Sequence, residues 1–248
     1  MKNKVLLVVL SLFFSGIKAQ RVNDIKEGEV EYSVFFGTKN NQKLKEKVSD
    51  SLKVSGVGVS QVVENMISSN KGARQVVKFS NDRSLSIPEV KPDAKTKKQF
   101  NITQIVLEKR GVYYADLSKN VVYNEKTYND QDIVIKYNIS DLKWNITDET
   151  AVINGYKVTK ATAKYKLEKD KGKQIMRDVV AWFSEDMPIK VAPMHFYGLP
   201  GLVVKLETKG ISYLLSSVKG KKVNVDYKIN TKKMISEDKY MDMTNEID

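Results

Sequence analysis

MPIKVAPMHFYGLPGLVV, residues 187–204, holds three of the chain's five prolines and its only histidine. Proline fixes φ and glycine tolerates positive φ, so residues 199–202 predict a Pro-Gly turn of type II, with Gly201 at φ > 0. An apolar run follows directly, over residues 202–206. The stretch therefore predicts a rigid corner that leads into a buried strand.

Outward from this corner, most of the chain has the period-two pattern of half-buried strands. Residues 30–36 place four apolar side chains on one face. Asn154-Gly155, between two β-branched runs, indicates a type I′ hairpin, because both central residues of that turn need φ > 0. Short segments rich in Val, Ile and Tyr continue to residue 227 and include 102–107, 142–146 and 222–227. Their spacing predicts an antiparallel meander, sandwich or open barrel.

Two parts of the chain have helical periodicity instead. Over residues 42–68 apolar residues recur every three or four positions, with an interruption near Gly56 and Gly58. Ser236, followed by two acidic residues, is typical of a helix N-cap. The predicted fold is mainly β (α+β): a single antiparallel sheet, strongly curved or half-barrel-like, with a helical insertion after the first strand and a short C-terminal helix.

The first nineteen residues indicate the compartment. A short basic start, an apolar run over residues 5–14 and a small-residue exit are the anatomy of a secretory signal peptide. We therefore expect residues 1–19 to be removed, leaving residues 20–248 as a single β-rich domain with no transmembrane segment. The expected location is exported, in the periplasm or outside the cell. The chain has no cysteine, which excludes disulfides and thiol catalysis.

The chain is basic, with 42 Lys and Arg against 30 Asp and Glu, a formal net charge of +12. Such an excess can attract nucleic acid or anionic envelope surfaces. The lysines are spread along the chain, and no RRM, zinc-finger or helix-turn-helix signature accompanies them. The charge therefore indicates a solvated surface, and nucleic acid is not an expected partner.

Few residues have the pattern of a catalytic or metal site. His195 is the only possible base of a Ser-His-Asp triad, and no Gly-x-Ser-x-Gly elbow is present. No cluster of metal ligands or phosphate-binding glycine loop indicates a cofactor. The acidic pairs Asp148-Glu149 and Glu185-Asp186 are adjacent in sequence and are expected in a turn and before Pro188, so neither predicts a carboxylate dyad. His195, which titrates near neutrality, and Phe196 remain as candidate ligand contacts.

Three segments together resemble a known family. They are WNITDET with INGYKV at 144–158, AWF with Met-Pro at 181–188, and GLPGLV at 198–203. In their order and spacing, over residues 144–207, the chain resembles the GLPGLI family of exported Bacteroidetes proteins, whose function is unassigned. The resemblance implies a compartment and a fold rather than a reaction. The residues matching the motif, expected to be structural, are Trp144, Glu149, Gly155, Tyr156, Ala161, Trp182, Pro188, Gly198, Leu199, Pro200, Gly201 and Leu202.

The chain departs from the family pattern at three positions. Val158 stands where the family commonly has Cys, Ala192 where it has Gly, and Val203 where it has Ile. These replacements suit packing, so a structural role of the motif is expected to survive them. An activity that depends on the cysteine would be lost in this chain.

Three functions agree with these observations to different degrees. The leading hypothesis is a non-catalytic envelope binding or scaffolding protein that acts on an unknown envelope partner. The alternative is a carrier of a lipid or other apolar ligand, in a half-barrel cavity ringed by Met66, Trp144, Trp182 and Phe196. A hydrolase is the third and least supported, since no set of side chains marks an enzyme.

Overall fold

The structure, a computed structural model, describes residues 25–36, 73–90, 107–170 and 173–244. The predicted signal peptide and the predicted helical insertion at 42–68 lie outside the described residues. The strands of the described part are β1 (Glu27–Phe36), β2 (Ala73–Ser80), β3 (Arg83–Val90), β4 (Val112–Asp116), β5 (Val121–Tyr128), β6 (Gln131–Asn138), β7 (Asn145–Ile153), β8 (Tyr156–Asp170), β9 (Lys173–Ser184), β10 (Leu202–Thr208), β11 (Ile211–Gly220) and β12 (Met234–Ser236). A helix, Glu237–Met243, follows the last strand.

All twelve strands belong to one sheet, in the order β12-β6-β5-β4-β3-β2-β1-β11-β10-β9-β8-β7. Two meanders, β1–β6 and β7–β11, join through the antiparallel pairing of β1 with β11. Only β12 pairs in parallel, with β6. The edge strands β12 and β7 do not pair with each other, so the sheet stays open. The predicted mainly β class with a single sheet is confirmed.

The strands form where apolar and polar residues alternate in the sequence, and the chain turns between strands at residues that accept positive φ. In β1 the side chains of Val30, Tyr32 and Val34 are buried at alternate positions. The β7–β8 hairpin turns at Asn154 and Gly155, whose φ values of 50° and 82° are those of the predicted type I′ turn. The predicted C-terminal helix is also present, and the Ser236 side chain accepts a hydrogen bond from the Lys239 N–H.

The sheet is strongly curved, because strands far apart in it contact the same side chain. Tyr137 on β6 and Tyr165 on β8 lie with ring centroids 4.3 and 6.4 Å from that of His195. Nine inter-strand spacings of roughly 4.8 Å would separate β6 from β8 in a flat sheet, about 43 Å in all. The concave side therefore wraps around the segment that contains His195.

Two pieces of chain cross the opening between the sheet edges. Residues 139–144 run from the end of β6 to the start of β7, and the Trp144 indole N–H donates to the Tyr197 carbonyl oxygen (3.0 Å). On the same side, Lys166 of β8 pairs with Asp238 (2.6 Å) and Glu237 (3.8 Å) of the C-terminal helix. The opening is thus bridged by residues 139–144 and by a side-chain ion pair rather than by a backbone ladder between the edge strands.

The structure corrects three strand predictions. Leu107, predicted to end a strand, is instead helical, within residues 107–110. The prediction was wrong because a short apolar run does not distinguish a buried helix from a strand. Residues 102–106 are not described. Residues 222–227 form no strand. The apolar side chains at alternate positions of this segment pack on the sheet without backbone pairing, and one of them, Tyr227, stacks on Tyr114. The strand predicted at 142–146 begins at Asn145, after a 3-10 turn at Ile139–Asp141.

Candidate functional site

Residues 187–201 fill the concave side of the sheet. The side chains of Met187, Ile189 and Val191 are buried, whereas the intervening Pro188 and Lys190 are exposed. Backbone hydrogen bonds run from Ile189 N to Met187 O (2.7 Å) and from Val191 N to Ile189 O (2.8 Å). Each of them closes a three-residue turn. The segment thereby projects an apolar row into the core.

Gly201 does not have the conformation that the sequence predicted. Its φ is not positive, so the expected type II turn is wrong; Met194 and Gly198 have the positive φ values of this segment, 56° and 109°. Gly201 instead passes so close to the backbone of Ser184 that a Cβ would overlap the Ser184 carbonyl oxygen. A glycine is therefore required here by the close approach of two backbones rather than by a torsion angle.

The start of β10 and the turn before it are held by polar contacts from opposite parts of the sheet. The Tyr32 hydroxyl donates to the Val203 carbonyl oxygen (2.8 Å). The Tyr197 hydroxyl lies 2.7 Å from the Ser84 hydroxyl, and its backbone carbonyl accepts from Trp144. Burial raises the pKa of Tyr197 to about 12, so its hydroxyl stays protonated. These contacts fix residues 195–197 between the two halves of the sheet.

His195 lies at one end of this filled interior, among aromatic rings. Its imidazole stacks on Tyr137 (4.3 Å between centroids, 6° between planes) and lies 4.3 Å from the ring of Phe196. The ring is half-buried, and Nδ1 is buried without a hydrogen-bond partner in the described part of the chain. Desolvation, together with the positive charge of Arg110, lowers the pKa of His195 to about 3.

This pKa corrects the expectation that His195 titrates near neutrality. A general base works best when its pKa lies near the working pH and when an oriented partner holds its second nitrogen. Neither condition is met at His195. The candidate ligand contacts His195 and Phe196 nevertheless lie together, with Phe196 almost fully buried and edge-on to Tyr165 (5.2 Å).

Two cations, Arg110 and Lys126, border the same end of the interior. The Arg110 Nη1 donates to the sulfur of Met194 (3.6 Å), and its Nε is buried without a partner. The Lys126 Nζ donates to the Tyr240 hydroxyl (2.6 Å). Neither forms an ion pair with a carboxylate of the described residues. Burial and the charge of Arg110 lower the pKa of Lys126 to about 8.

Sequence reasoning did not single out Arg110 or Lys126. Arg110 stands in a charged Lys-Arg-Gly stretch that resembles any surface turn. Lys126 has one local signal: it follows Val122 and Asn124 at alternate positions of β5, and both of these are buried. Their position beside His195 depends on how residues 187–201 pack against the sheet, where Arg110 contacts Met194, and no local pattern reveals that packing.

The motif residues fall into two groups. Trp144, Gly198, Leu199, Gly201 and Leu202 surround the corner at residues 198–202, with the Trp144 ring 3.4 Å from where a Cβ of Gly198 would lie. The others, found on the β7–β9 hairpins and at exposed turn positions, are Glu149, Gly155, Tyr156, Ala161, Trp182, Pro188 and Pro200. The motif thus marks two sites of the fold rather than one.

One outer-face cluster joins three adjacent strands. The Lys160 Nζ donates to both Glu149 carboxylate oxygens at 2.8 Å and lies 5.9 Å from the Trp182 ring centroid. Trp182 alternates with the fully buried Ala181 and Phe183, so it faces away from the concave side. It therefore does not ring an interior cavity with Phe196; Met66 lies outside the described residues.

The adjacent carboxylates form no catalytic dyad. Asp148 and Glu149 lie within β7, at an irregularity in its register between Ile146 and Thr150, rather than in the predicted turn. Asp148 is exposed while Glu149 pairs with Lys160. Glu185 and Asp186 are exposed in the turn after β9, as predicted.

The three departures from the family pattern are all packing positions. Val158, Ala192 and Val203 are each at most 2% exposed and belong to the main apolar core. Replacing a Cys by Val at such a site preserves an apolar side chain of similar size.

A polar cleft of about 470 Å³ lies elsewhere, between the β2–β3 turn and the segment after β11. Its charged lining includes Asp82 and the pair Arg83–Asp226, which are 3.9 Å apart. Within the described ranges, no three His, Cys, Asp or Glu side chains are grouped to hold a metal ion. No helix among those residues is long and apolar enough to cross a membrane.

Comparison with known proteins gives a match to one family model over a short part of the chain. The model of the Porph_ging family, described as proteins of unknown function, matches residues 166–205, from within β8 to within β10. No curated protein matches the chain. Two crystal structures of PNGF-II are similar to 88% of this chain: the C2 form at 18% identity and TM-score 0.48, and the P21 form at 16% and 0.49. The chain corresponds to 32% and 33% of those chains, about a third of their length.

Proposed function

We propose that the chain is an exported, non-catalytic binding or scaffolding protein of the bacterial envelope. The signal-peptide pattern of residues 1–19 and the resemblance to the GLPGLI family support export. The matched family has no assigned function, so the site itself must supply the argument.

The filled concave side of the sheet is the observation that carries this proposal. Met187, Val191, Phe196 and Leu199 of the chain's own segment occupy the place that a ligand takes in a hollow half-barrel. An apolar carrier needs an interior larger than its side chains fill. The buried row of residues 187–199 therefore counts against the carrier hypothesis and favours contacts made at the protein surface.

The state of His195 counts against a hydrolase. With a pKa of about 3 it is neutral at physiological pH, and its buried Nδ1 has no carboxylate or hydroxyl partner among the described residues. A mechanism that depends on it as a general base would lack both the driving force for proton transfer and the orienting hydrogen bond.

Native mass spectrometry of the protein, purified from its own envelope fraction, tests the proposal. We expect a complex with another macromolecule, and no co-purifying lipid. His195→Phe keeps an aromatic ring in the stack and should retain the same complex. Lipid bound in stoichiometric amount would overturn the proposal in favour of the carrier. Loss of a measurable hydrolytic turnover in His195→Phe, with the fold intact, would overturn it in favour of an enzyme.

A further inference from the structure

The end of the interior that holds His195 is rich in hydrogen-bond donors and poor in acceptors. The acceptors available to Arg110 and Lys126 in the described residues are a thioether sulfur and a tyrosine hydroxyl, both uncharged. The Arg110 Nε is also buried and has no acceptor among the described residues. Both side chains are partly buried, and partial burial of a cation that has no carboxylate partner among the described residues is costly, because it removes water that would solvate the charge.

The backbone places Arg110 and Lys126 in neighbouring positions. Gly111, at φ 74°, crosses β5 so closely that a Cβ there would lie 2.7 Å from the Lys126 Cβ. The Asn124 side-chain amide donates to the carbonyl oxygens of Arg110 (2.8 Å) and Val112 (3.2 Å), which holds the chain in this path. The backbone positions of Arg110 and Lys126 are therefore held next to each other by the fold.

The carboxylates nearby are engaged elsewhere. Glu237, on the C-terminal helix, lies close enough to raise the pKa of Tyr137, but its carboxylate pairs with Lys166. Asp238 pairs with the same lysine at 2.6 Å. No carboxylate of the described residues pairs with Arg110 or Lys126.

We propose that Arg110 and Lys126 form a binding site for an oxyanion group, a carboxylate or a phosphate, of a small ligand. The Arg110 guanidinium provides N–H donors in a planar fork that matches two oxygens, and Lys126 provides a point charge. The hydroxyls of Tyr240 and Tyr113 are protonated, since burial raises the pKa of each, and they are available as further donors. The aromatic wall of Tyr137 and His195 borders the site, so a ligand with a flat or apolar body suits it.

The lowered pKa of Lys126 agrees with this geometry. Part of the lowering comes from Arg110, which means that the two positive charges repel each other. A bound oxyanion would remove that repulsion and bring its own negative charge to both. The inference does not rest on the function proposed above, because a binding protein, a carrier or an enzyme could each hold such a group.

Calorimetric titration with inorganic phosphate and, separately, with benzoate tests the site, at constant ionic strength set by sodium chloride. We expect saturable one-to-one binding of at least one of the two anions. Lys126→Met and Arg110→Gln should each weaken the binding at least tenfold, since each removes a charge-assisted hydrogen bond. Lys126→Arg, which keeps the charge, should stay within a few-fold of the wild-type affinity.

Lys164→Met is the matched control, because it also removes one positive charge, from an exposed pair with Asp178 (2.7 Å). It should leave the affinity unchanged. The relative strength of phosphate and benzoate identifies which oxyanion the site prefers. Absence of saturable binding by either anion to the wild type would overturn the inference. Equal weakening in Lys164→Met and Lys126→Met would also overturn it, because the attraction would then come from net charge alone. If Arg110→Gln fails to fold, the comparison of Lys126→Met with Lys126→Arg decides the outcome.

Discussion

The backbone of Gly201 packs directly against the carbonyl oxygen of Ser184, the last residue of β9. This contact lets the corner fold back so that Leu202 pairs with Ser184 and β10 continues beside β9. The Leu202 N–H also donates to the Met187 carbonyl oxygen (3.0 Å), which closes the loop at its base. The Pro-Gly corner thus depends on the close packing of two backbone segments, at Gly201 and at Ser184.

We expect Gly201→Ala to destabilise the protein by about 3 kcal/mol, because the new methyl group forces a backbone shift in a fully packed region. Gly210→Ala is the control. Gly210 has φ 82° and open space around it, so only the torsional cost of about 1 kcal/mol applies. Urea denaturation followed by circular dichroism measures both changes. Equal losses in the two variants would show that the close approach at Gly201 is relieved without cost.

We expect His195→Phe to remove part of the acid sensitivity of folding. The His195 pKa falls from 6.5 to about 3 on folding, so below pH 6.5 the unfolded chain binds a proton that the folded chain rejects. Stability is therefore lost as the pH falls from 6.5 towards 3, by up to about 2 kcal/mol at pH 5. The difference in unfolding free energy between pH 7 and pH 5 should be smaller in His195→Phe than in the wild type. Identical pH slopes would show that His195 is solvated enough to protonate in the folded state.

Trp144→Phe should cost about 1–2 kcal/mol, since it removes the indole hydrogen bond and leaves the Tyr197 carbonyl without that donor. Trp182→Phe is the comparison, because Trp182 is also half-buried and its contact with Lys160 is a cation–π approach at 5.9 Å. A smaller loss, below about 1 kcal/mol, is expected there. Thermal unfolding of the two variants provides the measurement, and a larger loss for Trp182→Phe would contradict the bridging role of Trp144.

Arg110→Gln should raise the pKa of Lys126 above its value of about 8, because it removes the nearby positive charge and leaves burial as the main cause of the lowering. An NMR titration of the lysine ¹³Cε signals measures this pKa, and the signal absent from Lys126→Arg identifies the residue. An unchanged titration in Arg110→Gln would show that the two cations do not interact.

Much of the local structure follows from neighbouring residues. The alternation of Val30, Tyr32 and Val34, the Asn154-Gly155 turn and the Ser236 N-cap each depend on residues a few positions apart, and each is present as predicted. Residues 222–227 show the limit of that reasoning. Their alternating pattern favours an extended chain, but whether its backbone pairs depends on a neighbouring strand that the pattern does not specify.

The candidate site was predictable only in part. His195 and Phe196 were named from their residue types and their place in the corner, yet the sequence predicted an ordinary histidine pKa. The lowered pKa comes from desolvation and from Arg110, 85 positions earlier in the chain. Likewise, Gly201 was expected to supply a torsion angle, whereas its role depends on the backbone of another strand.

By itself, the sequence determined that this protein is a mainly β chain with a rigid corner at residues 198–202, because period-two patterns and turn residues act locally. The tertiary structure alone decided that β1 joins the two meanders and that the sheet curves until Tyr137 and Tyr165 reach one histidine. It also decided that Arg110 and Lys126 occupy neighbouring positions and pair with no carboxylate of the described residues. Such relationships depend on packing between parts of the chain that are distant in sequence, as does the hydrogen bond from Tyr32 to Val203. No single stretch of sequence encodes packing of this kind.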